Sequence, residues 1–265
     1  MTSTTSNTPE NESPTTGGGS QTLMRGLDVI EAVADHPLTA TELAEKLGLT
    51  KSTAHRLASA LADRGFLAST PRSGYRLGPR LLALGHRAQE QADLIHIARP
   101  RLEDLAASTE DTVHLGTHSP EDETALYLDK IPGRRRINIS SRVGERQLLT
   151  CTGLGKALIL DHSEDWWQRR FELDHAAGAP QVDRAVWMER MRAYARGGYA
   201  YDLEENEDQI RCVSAPIRDA AGKIVAAISV SSAAQYMNDA RMETLTDEVR
   251  ATAQAISTDL GFSAA

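Results

Sequence analysis

The chain has 265 residues, which allows one large domain or two of moderate size, and we expect two. It has no run near the roughly 18 consecutive apolar residues of a membrane span and no secretory pattern at its start, so we expect a cytoplasmic protein without a membrane partner. Two cysteines more than sixty residues apart cannot form a disulfide scaffold, and a formal net charge of −8 argues at first sight against nucleic acid.

The N-terminal part of the chain begins with a predicted disordered tail over residues 1–21, because this stretch is polar, rich in glycine near its end and almost free of large apolar side chains. Helical spacing of apolar residues then starts at Leu23 and predicts a first helix. Thr39 stands three residues before Glu42, the spacing of a capping box, and predicts a second helix that ends at Gly48.

A third helix and a hairpin follow. The helix is predicted from a cap at Thr50 to a stop at Gly65, with a buried side formed by Ala54, Leu57, Ala58 and Leu61. Next, "FLAST" and "YRL" predict two short strands joined by the turn residues "PRSG". The order helix, helix, turn, helix, hairpin indicates a winged helix-turn-helix domain over residues 22–78.

This predicted domain carries a local excess of positive charge. From Thr50 to Arg80 there are six basic residues and one acid, Asp63, so the segment carries about +5. The basic residues are Lys51, Arg56, Arg64, Arg72, Arg76 and Arg80. A cationic surface on a winged helix indicates double-stranded DNA as the partner, whatever the charge elsewhere in the chain.

The third helix is the candidate recognition helix, which would enter the major groove with its N-terminus first. Its early polar residues are therefore the candidates for base contacts: Ser52, Thr53, His55 and Arg56. The candidates for phosphate contacts are Lys51 and three hairpin residues, Arg72, Tyr75 and Arg76. The alternative is a solvated helix face in a winged-helix protein-interaction module. The scarcity of acid, the short hydroxyl residues and the basic hairpin together disfavour this alternative.

The rest of the chain is predicted to form a linker helix over residues 79–95 and a second domain over residues 96–262. Helices are predicted near residues 97–110, 153–160, 163–174 and 183–196, and from a cap at Asn238 to about Leu260. Strands are predicted at "DTVHLGTH", "TALYLDKI", "RRINISSRV", "YAYD", "IRCVSAPI" and "KIVAAISVSS". This mixed order indicates an α+β domain with an antiparallel sheet and packed helices.

Several of these segments carry a family resemblance. Together, "LADRGFL", "GYRLGPRLLALG", "GLGKALIL", "RGGYAYDLEENEDQIRCVSAPI" and "AAISVSS" resemble the IclR family of bacterial transcription regulators over roughly residues 22–260. The resemblance implies a winged helix that binds palindromic operators, a linker helix that helps the chain dimerise, and a GAF-like C-terminal domain that binds a small organic-acid effector. It also implies homodimers that often pair into tetramers. We therefore expect a ligand-responsive repressor with no catalytic residues, metal or cofactor.

The resemblance also assigns the effector site. It implies that Asp202, Cys212, Ser229 and Ser231 surround the ligand, and that Gly153 and Leu154 present free N–H groups at the start of a helix, where a carboxylate is attracted. Independently, the period of two in "KIVAAISVSS" places both serines on one face, opposite Ile224, Ala226, Ile228 and Val230. Alternatively, the serines bond only to neighbouring backbone and Cys212 is an ordinary core residue.

The chemistry of the ligand follows only in part. Asp202 would repel a bound carboxylate unless it accepts a hydrogen bond from a ligand hydroxyl or an ordered water, so a hydroxy acid or a hydrated acid is expected among the small organic or sugar acids. Ligand identity cannot be transferred from the family, because Leu148, Thr150 and Cys151 stand where the family usually has proline, histidine and alanine.

Two other functions compete with this interpretation. An enzyme with Cys212 as its nucleophile needs a base, and no histidine is expected in the segments that would line the pocket. A small-molecule sensor that acts without DNA would not need the basic N-terminal segment. A metal site at His114 and His118 is not expected either, since ligands on one face of a strand are two residues apart rather than four.

Overall fold

The computed structural model describes residues 21–70, 74–91, 93–135, 139–179 and 182–263. The chain divides into two compact units between Gln91 and Ala92. The predicted tail lies, except for Gln21, outside the described residues. None of the helices in the described ranges is both long enough and apolar enough to cross a bilayer.

The N-terminal unit has the predicted winged helix-turn-helix order. Its helices are α1 (Gln21–Ala32), α2 (Ala40–Leu47), α3 (Lys51–Asp63) and α4 (Pro79–Gln91). Between α3 and α4, strands β1 (Leu67–Thr70) and β2 (Gly74–Leu77) pair as an antiparallel hairpin. Its small core is built around Val29, Leu43, Ala54 and Leu67, which come from three helices and the hairpin.

Local caps set the ends of α2 and α3. The predicted capping box is present: the Glu42 N–H donates to the Thr39 hydroxyl at 3.3 Å, and the Thr39 N–H donates to the Glu42 carboxylate at 2.7 Å. Gly48 ends α2 in the left-handed region, with φ of 63°. Thr50 caps α3 by accepting the N–H of Thr53 at 3.2 Å. The turn before the recognition helix is therefore fixed by its own residues.

A close backbone contact holds the hairpin against the helices. Leu38 and Tyr75 exchange two backbone hydrogen bonds, of 2.9 and 2.8 Å. Next to this pair, Gly74 has φ of 82°, and a Cβ on it would lie 2.2 Å from the carbonyl oxygen of Leu38. Only glycine combines this φ with so close an approach.

The C-terminal unit is a six-stranded antiparallel sheet with helices on both faces. The strands lie in the order β5 (Arg146–Leu148), β4 (Thr124–Ile131), β3 (Thr112–Ser119), β8 (Ile224–Ala233), β7 (Ile210–Arg218) and β6 (Ala200–Leu203). The helices are α5 (Leu94–Thr109), α6 (Gly153–Leu158), α7 (Glu164–Ala176), α8 (Arg184–Gly197) and α9 (Asp239–Asp259). This arrangement confirms the predicted α+β class.

Alternation along the strands divides the apolar residues between two cores. On one face, Val113, Val213 and Ile228 pack against α5 and α9. On the other face, α6, α7 and α8 pack around the fully buried Trp187. On the α6 side, polar residues of β3, β6, β7 and β8 line a cavity instead of joining this core.

Two strand predictions are wrong in detail. "RRINISSRV" was predicted as a strand, but its described residues 139–143 form none, because the Lys130 amine takes the carbonyls of Ile139 and Ser141 that a ladder would use. The short strand β5 lies just beyond it. Ile224 was placed opposite Ser229, but Val225 is an extra residue in the register, so Ile224 packs against the α6 to α8 core.

Candidate functional site

The start of α3 presents the polar surface that was predicted for base contacts. Exposed residues of its first two turns are Lys51, Ser52, His55 and Arg56. Thr53 is only partly exposed, because its hydroxyl lies 2.8 Å from that of the cap residue Thr50. The opposite side of the helix is buried in the core of the N-terminal unit. These side chains are thus available to a partner, while their contacts with bases stay a prediction.

The hairpin differs from its predicted role at one position. Arg76 is exposed, and Arg72 lies outside the described residues. Tyr75 was predicted to hold a phosphate, but its side chain is buried: its hydroxyl lies 3.1 Å from Ser59 Oγ, and its ring meets that of His55 edge-on at 6.4 Å between centroids. Tyr75 therefore anchors the hairpin to α3 rather than facing solvent.

The C-terminal unit contains a small polar cavity of about 40 Å³ that is partly open to solvent. Its floor is made of two cross-strand rows, because residues paired in an antiparallel ladder lie on the same face. One row joins His114 on β3 to Ser229 on β8 and continues to Ser214 on β7, which lies beyond the cavity wall. The other joins Ser231 on β8, Cys212 on β7 and Asp202 on β6.

The structure brings most of the predicted effector residues together. The cavity wall includes Leu154, Asp202, Cys212, Ser229 and Ser231. Gly153 lies behind this wall, where a Cβ would come within 2.6 Å of Cys212 Sγ and 2.8 Å of Ser214 Oγ. The glycine is therefore needed for the close approach of α6 to β7, and the role of all six residues in ligand binding stays a prediction.

His114 and Tyr127 are cavity residues that sequence reasoning missed. His114 is buried, with Nε2 at 2.7 Å from Ser141 Oγ and Nδ1 at 3.5 Å from Ser229 Oγ, and its ring stacks on Tyr127. Burial, helped by the charge of Lys130, lowers the pKa of His114 to about 3, so the imidazole is neutral. The alternation of His114 with the apolar Val113 and Leu115 was the available signal.

The cavity does not favour nucleophilic chemistry at Cys212. The expectation that no histidine lies in the pocket is wrong, since His114 is in its wall. However, burial, followed by the charge of Asp202, raises the pKa of the Cys212 thiol to about 12. The thiol therefore stays protonated at neutral pH, whereas a catalytic cysteine needs a lowered pKa.

Asp202 lies beside a buried cluster of ion pairs. Its carboxylate accepts the N–H of Glu205 at 2.8 Å. The Glu205 carboxylate binds the buried ammonium of Lys156 and, at 2.9 Å, the guanidinium of Arg190. Burial raises the pKa of Asp202 to about 6, although the charge of Lys156 opposes this shift. The cluster therefore fixes the loop after β6 and leaves Asp202 facing the cavity.

Two loops border the mouth of the cavity. In the first, the Lys130 amine donates to the carbonyls of Ile139 and Ser141, both at 2.7 Å. In the second, which follows β6, Glu207 accepts a hydrogen bond of 3.3 Å from the hydroxyl of Ser140. Within the described ranges, no group of three metal-ligating side chains lies close enough together to hold a metal ion.

Comparison with known proteins finds two family models along the chain. Residues 22–71 match the model of the IclR helix-turn-helix domain, and residues 86–258 match that of the bacterial transcriptional regulator IclR C-terminal domain. The DNA-binding transcriptional repressor YiaJ of Escherichia coli K12 is 31% identical over 253 residues, which cover 92% of this chain and 89% of that protein.

Two further proteins extend the likeness. The HTH-type transcriptional regulator BhcR of Paracoccus denitrificans is 32% identical over 247 residues, which cover 91% of this chain and 87% of that protein. The crystal structure of the Agobacterium tumefaciens repressor BlcR matches this fold with a TM-score of 0.75, at 24% identity, over 94% of this chain and 100% of that one.

Proposed function

Because this chain belongs to the IclR family of bacterial transcriptional regulators, we propose that it is a repressor that binds a palindromic operator and responds to a small organic-acid effector. The observation that carries the proposal is the exposed polar start of α3 within a locally cationic, winged helix-turn-helix unit. The basic groups would neutralise phosphates, while the short and planar side chains of α3 would contact base edges.

Exposed apolar residues support assembly into homodimers or tetramers. In the N-terminal unit, α1 exposes Leu23 and Leu27, and the predicted linker helix α4 exposes Leu82 and Leu84. Leu82 is 78% exposed, which is unusual for a leucine outside an interface. Two copies of the chain would present two recognition helices to the half-sites of an inverted repeat.

Arg56→Ala is expected to weaken operator binding 10- to 100-fold and binding to scrambled duplex only a few-fold, because a base contact contributes roughly 1–3 kcal/mol of discrimination. The operator would first be selected from a pool of random inverted repeats. Fluorescence anisotropy on labelled duplexes would then give both dissociation constants at one salt concentration.

Arg64→Ala is the matched control, because it removes the same charge from the exposed far end of α3. It should weaken binding to the operator and to scrambled duplex by a similar factor, as the loss of a phosphate contact does. Equal losses for Arg56→Ala would make Arg56 a phosphate contact as well. If the selected repeat bound the unaltered protein no better than scrambled duplex, the proposed operator recognition would be wrong.

The cavity supports the second half of the proposal. Its buried hydroxyls, neutral imidazole and Asp202 carboxylate are hydrogen-bonding groups that a small hydroxylated ligand can satisfy. Asp202 would accept a hydrogen bond from a ligand hydroxyl, as predicted. We propose that a bound effector favours one arrangement of the dimer, and so changes the spacing of the two recognition helices.

A thermal-shift screen of small hydroxy acids and sugar acids should find a ligand, because a molecule that binds only the folded state raises the melting temperature. Ser229→Ala and Asp202→Ala should each lower the affinity for that ligand about tenfold, because each removes a buried hydrogen bond. Ser232→Ala is the control: this neighbouring serine bonds to Asp111 outside the cavity and should leave the affinity unchanged. Unchanged binding in both cavity variants would place the site elsewhere.

A further inference from the structure

The charges around the cavity are unbalanced. Two acids, Asp202 and Glu207, belong to its wall, and no lysine or arginine does so among the described residues. The two nearest ammonium groups each have partners of their own. Lys130, the cross-strand neighbour of His114, keeps its charge while it donates to the carbonyls that border the mouth, and the charge of Glu145 opposes it. Lys156 is paired with Glu205. A negatively charged ligand would therefore find neutral donors in the wall and no cation whose charge is not already opposed by an acid.

Beneath the floor, the buried ion pairs contribute no spare positive charge. The carboxylates of Asp202 and Glu205 are matched by the cations of Lys156 and Arg190, so this group of four is neutral as a whole. Glu207, at the mouth, adds one further negative charge. In a partly desolvated site, this excess negative charge repels a ligand carboxylate more strongly than it would in water.

At its far end, the cavity offers only neutral hydrogen-bonding groups. Neighbouring strands lie about 4.8 Å apart, and Cys212 is two residues along β7 from Ser214, which is in line with His114. His114 and Cys212 are therefore roughly 12 Å apart. His114 is buried, and both of its ring nitrogens lie next to serine hydroxyls. Burial, reinforced by nearby acids including Asp202, raises the pKa of Tyr127 well above its usual value, so its phenol is also neutral. A ligand hydroxyl suits these partners, whereas a carboxylate would lose its hydration and gain only the charge of Lys130, which the charge of Glu145 already opposes.

We infer that the cavity takes a small hydroxylated molecule with no more than one carboxylate, and that it rejects the dicarboxylate of the same chain length. This inference rests on the proposed effector function and narrows it. A single carboxylate can be held by neutral donors at one end of the cavity, with ligand hydroxyls bonded to Asp202 and to the His114 end. A second carboxylate would add an uncompensated charge to a wall that is already acidic.

The test uses matched series in which only the number of terminal carboxylates changes. Each series has a polyol, a monoacid and a diacid of one length: glycerol, glycerate and tartronate; threitol, threonate and tartrate; xylitol, xylonate and xylarate; sorbitol, gluconate and glucarate. Isothermal titration calorimetry on the full chain at neutral pH would rank them. We expect the best ligand to be a monoacid or a polyol, with the diacid of its series at least tenfold weaker.

The outcomes separate this inference from the proposed function. A diacid that binds as tightly as its monoacid, or more tightly, would overturn the inference and leave an effector cavity in place. Binding by none of the twelve compounds would overturn the effector proposal and the inference with it.

Three variants test the electrostatic cause. Glu207→Gln removes the wall charge at the mouth. It should reduce the gap in affinity, meaning the ratio of the diacid and monoacid dissociation constants, by about two- to fivefold. Asp208→Asn is the matched control, because Asp208 is an exposed acid of the same loop outside the wall, and it should change the gap less than twofold. Arg136 is a basic residue outside the described residues, so its distance from the cavity is unknown. Arg136→Gln is therefore the third variant. If that variant changed the gap severalfold, a cation would serve the cavity after all and the inference would be wrong.

Discussion

Replacing Glu205 with leucine is expected to lower the free energy of unfolding of the C-terminal unit by about 3–5 kcal/mol. Lys156 is 1% exposed, and Glu205 supplies its carboxylate partner. Without that carboxylate, the carbonyl of Tyr201, 3.0 Å away, is the one hydrogen-bond acceptor left to the ammonium within the described ranges, and the ammonium remains a buried charge. The loss exceeds that of an ordinary side-chain truncation because an unpaired buried charge costs more than a small void.

Urea unfolding followed by tryptophan fluorescence would measure this loss directly, since Trp166, Trp167 and Trp187 all belong to the C-terminal unit. Glu172→Leu is the control, because Glu172 pairs with Arg184 where both side chains are 54% exposed, and exposed pairs contribute little. A Glu205→Leu protein no less stable than the Glu172→Leu protein would refute the assigned role.

The double variant Lys156→Met and Glu205→Leu should recover most of the lost stability. It replaces both charged partners with apolar side chains of similar size, and Arg190, which is 33% exposed, can turn its guanidinium towards water. If the two single losses simply added, the pair would not be coupled, and the effect of Glu205 would lie in packing alone.

Gly74→Ala is expected to destabilise the hairpin by about 3 kcal/mol or more and to abolish tight operator binding. The left-handed φ costs a non-glycine residue about 1–2 kcal/mol, and the clash with the Leu38 carbonyl requires the two backbone segments to separate. The backbone hydrogen bonds between Leu38 and Tyr75 would then break, and the hairpin would lose its position beside α3.

Hydrogen exchange would measure the effect at the amides of Leu38 and Tyr75, which should exchange about 100-fold faster or more. Gly48→Ala provides a matched comparison, since Gly48 also has a left-handed φ, of 63°, but has open space where a Cβ would lie. That variant should cost only about 1–2 kcal/mol. Tryptophan fluorescence should report an unchanged C-terminal unit in both proteins. Equal exchange in the two glycine variants would show that the contact with Leu38 is unimportant.

The helix-turn-helix could be predicted almost completely because its signals are local. The capping box of Thr39 and Glu42, the glycine stop at Gly48 and the cap at Thr50 act within a few residues of where they stand. The position of Tyr75 could not be predicted in this way. Its burial depends on Ser59, sixteen residues earlier, which nothing in the hairpin sequence indicates.

The cavity was predicted in part. The period of two in β8 placed Ser229 and Ser231 correctly, because alternation along a strand is a local rule. His114 was missed because its neighbour in the sheet is a strand more than a hundred residues away, and the order of strands in a sheet is not encoded in any one of them. The resemblance supplied Asp202 and Cys212 by position, but it could not supply the charge balance around them.

The burial of both cysteines has a practical consequence. Cys151 is 4% and Cys212 is 5% exposed, and burial raises the pKa of the Cys151 thiol to about 11. Both should therefore react slowly with maleimides in the folded protein. A single cysteine introduced at the exposed Ser69 of the hairpin would accept a fluorophore selectively, so the wing could be followed by spectroscopy with the native thiols left in place.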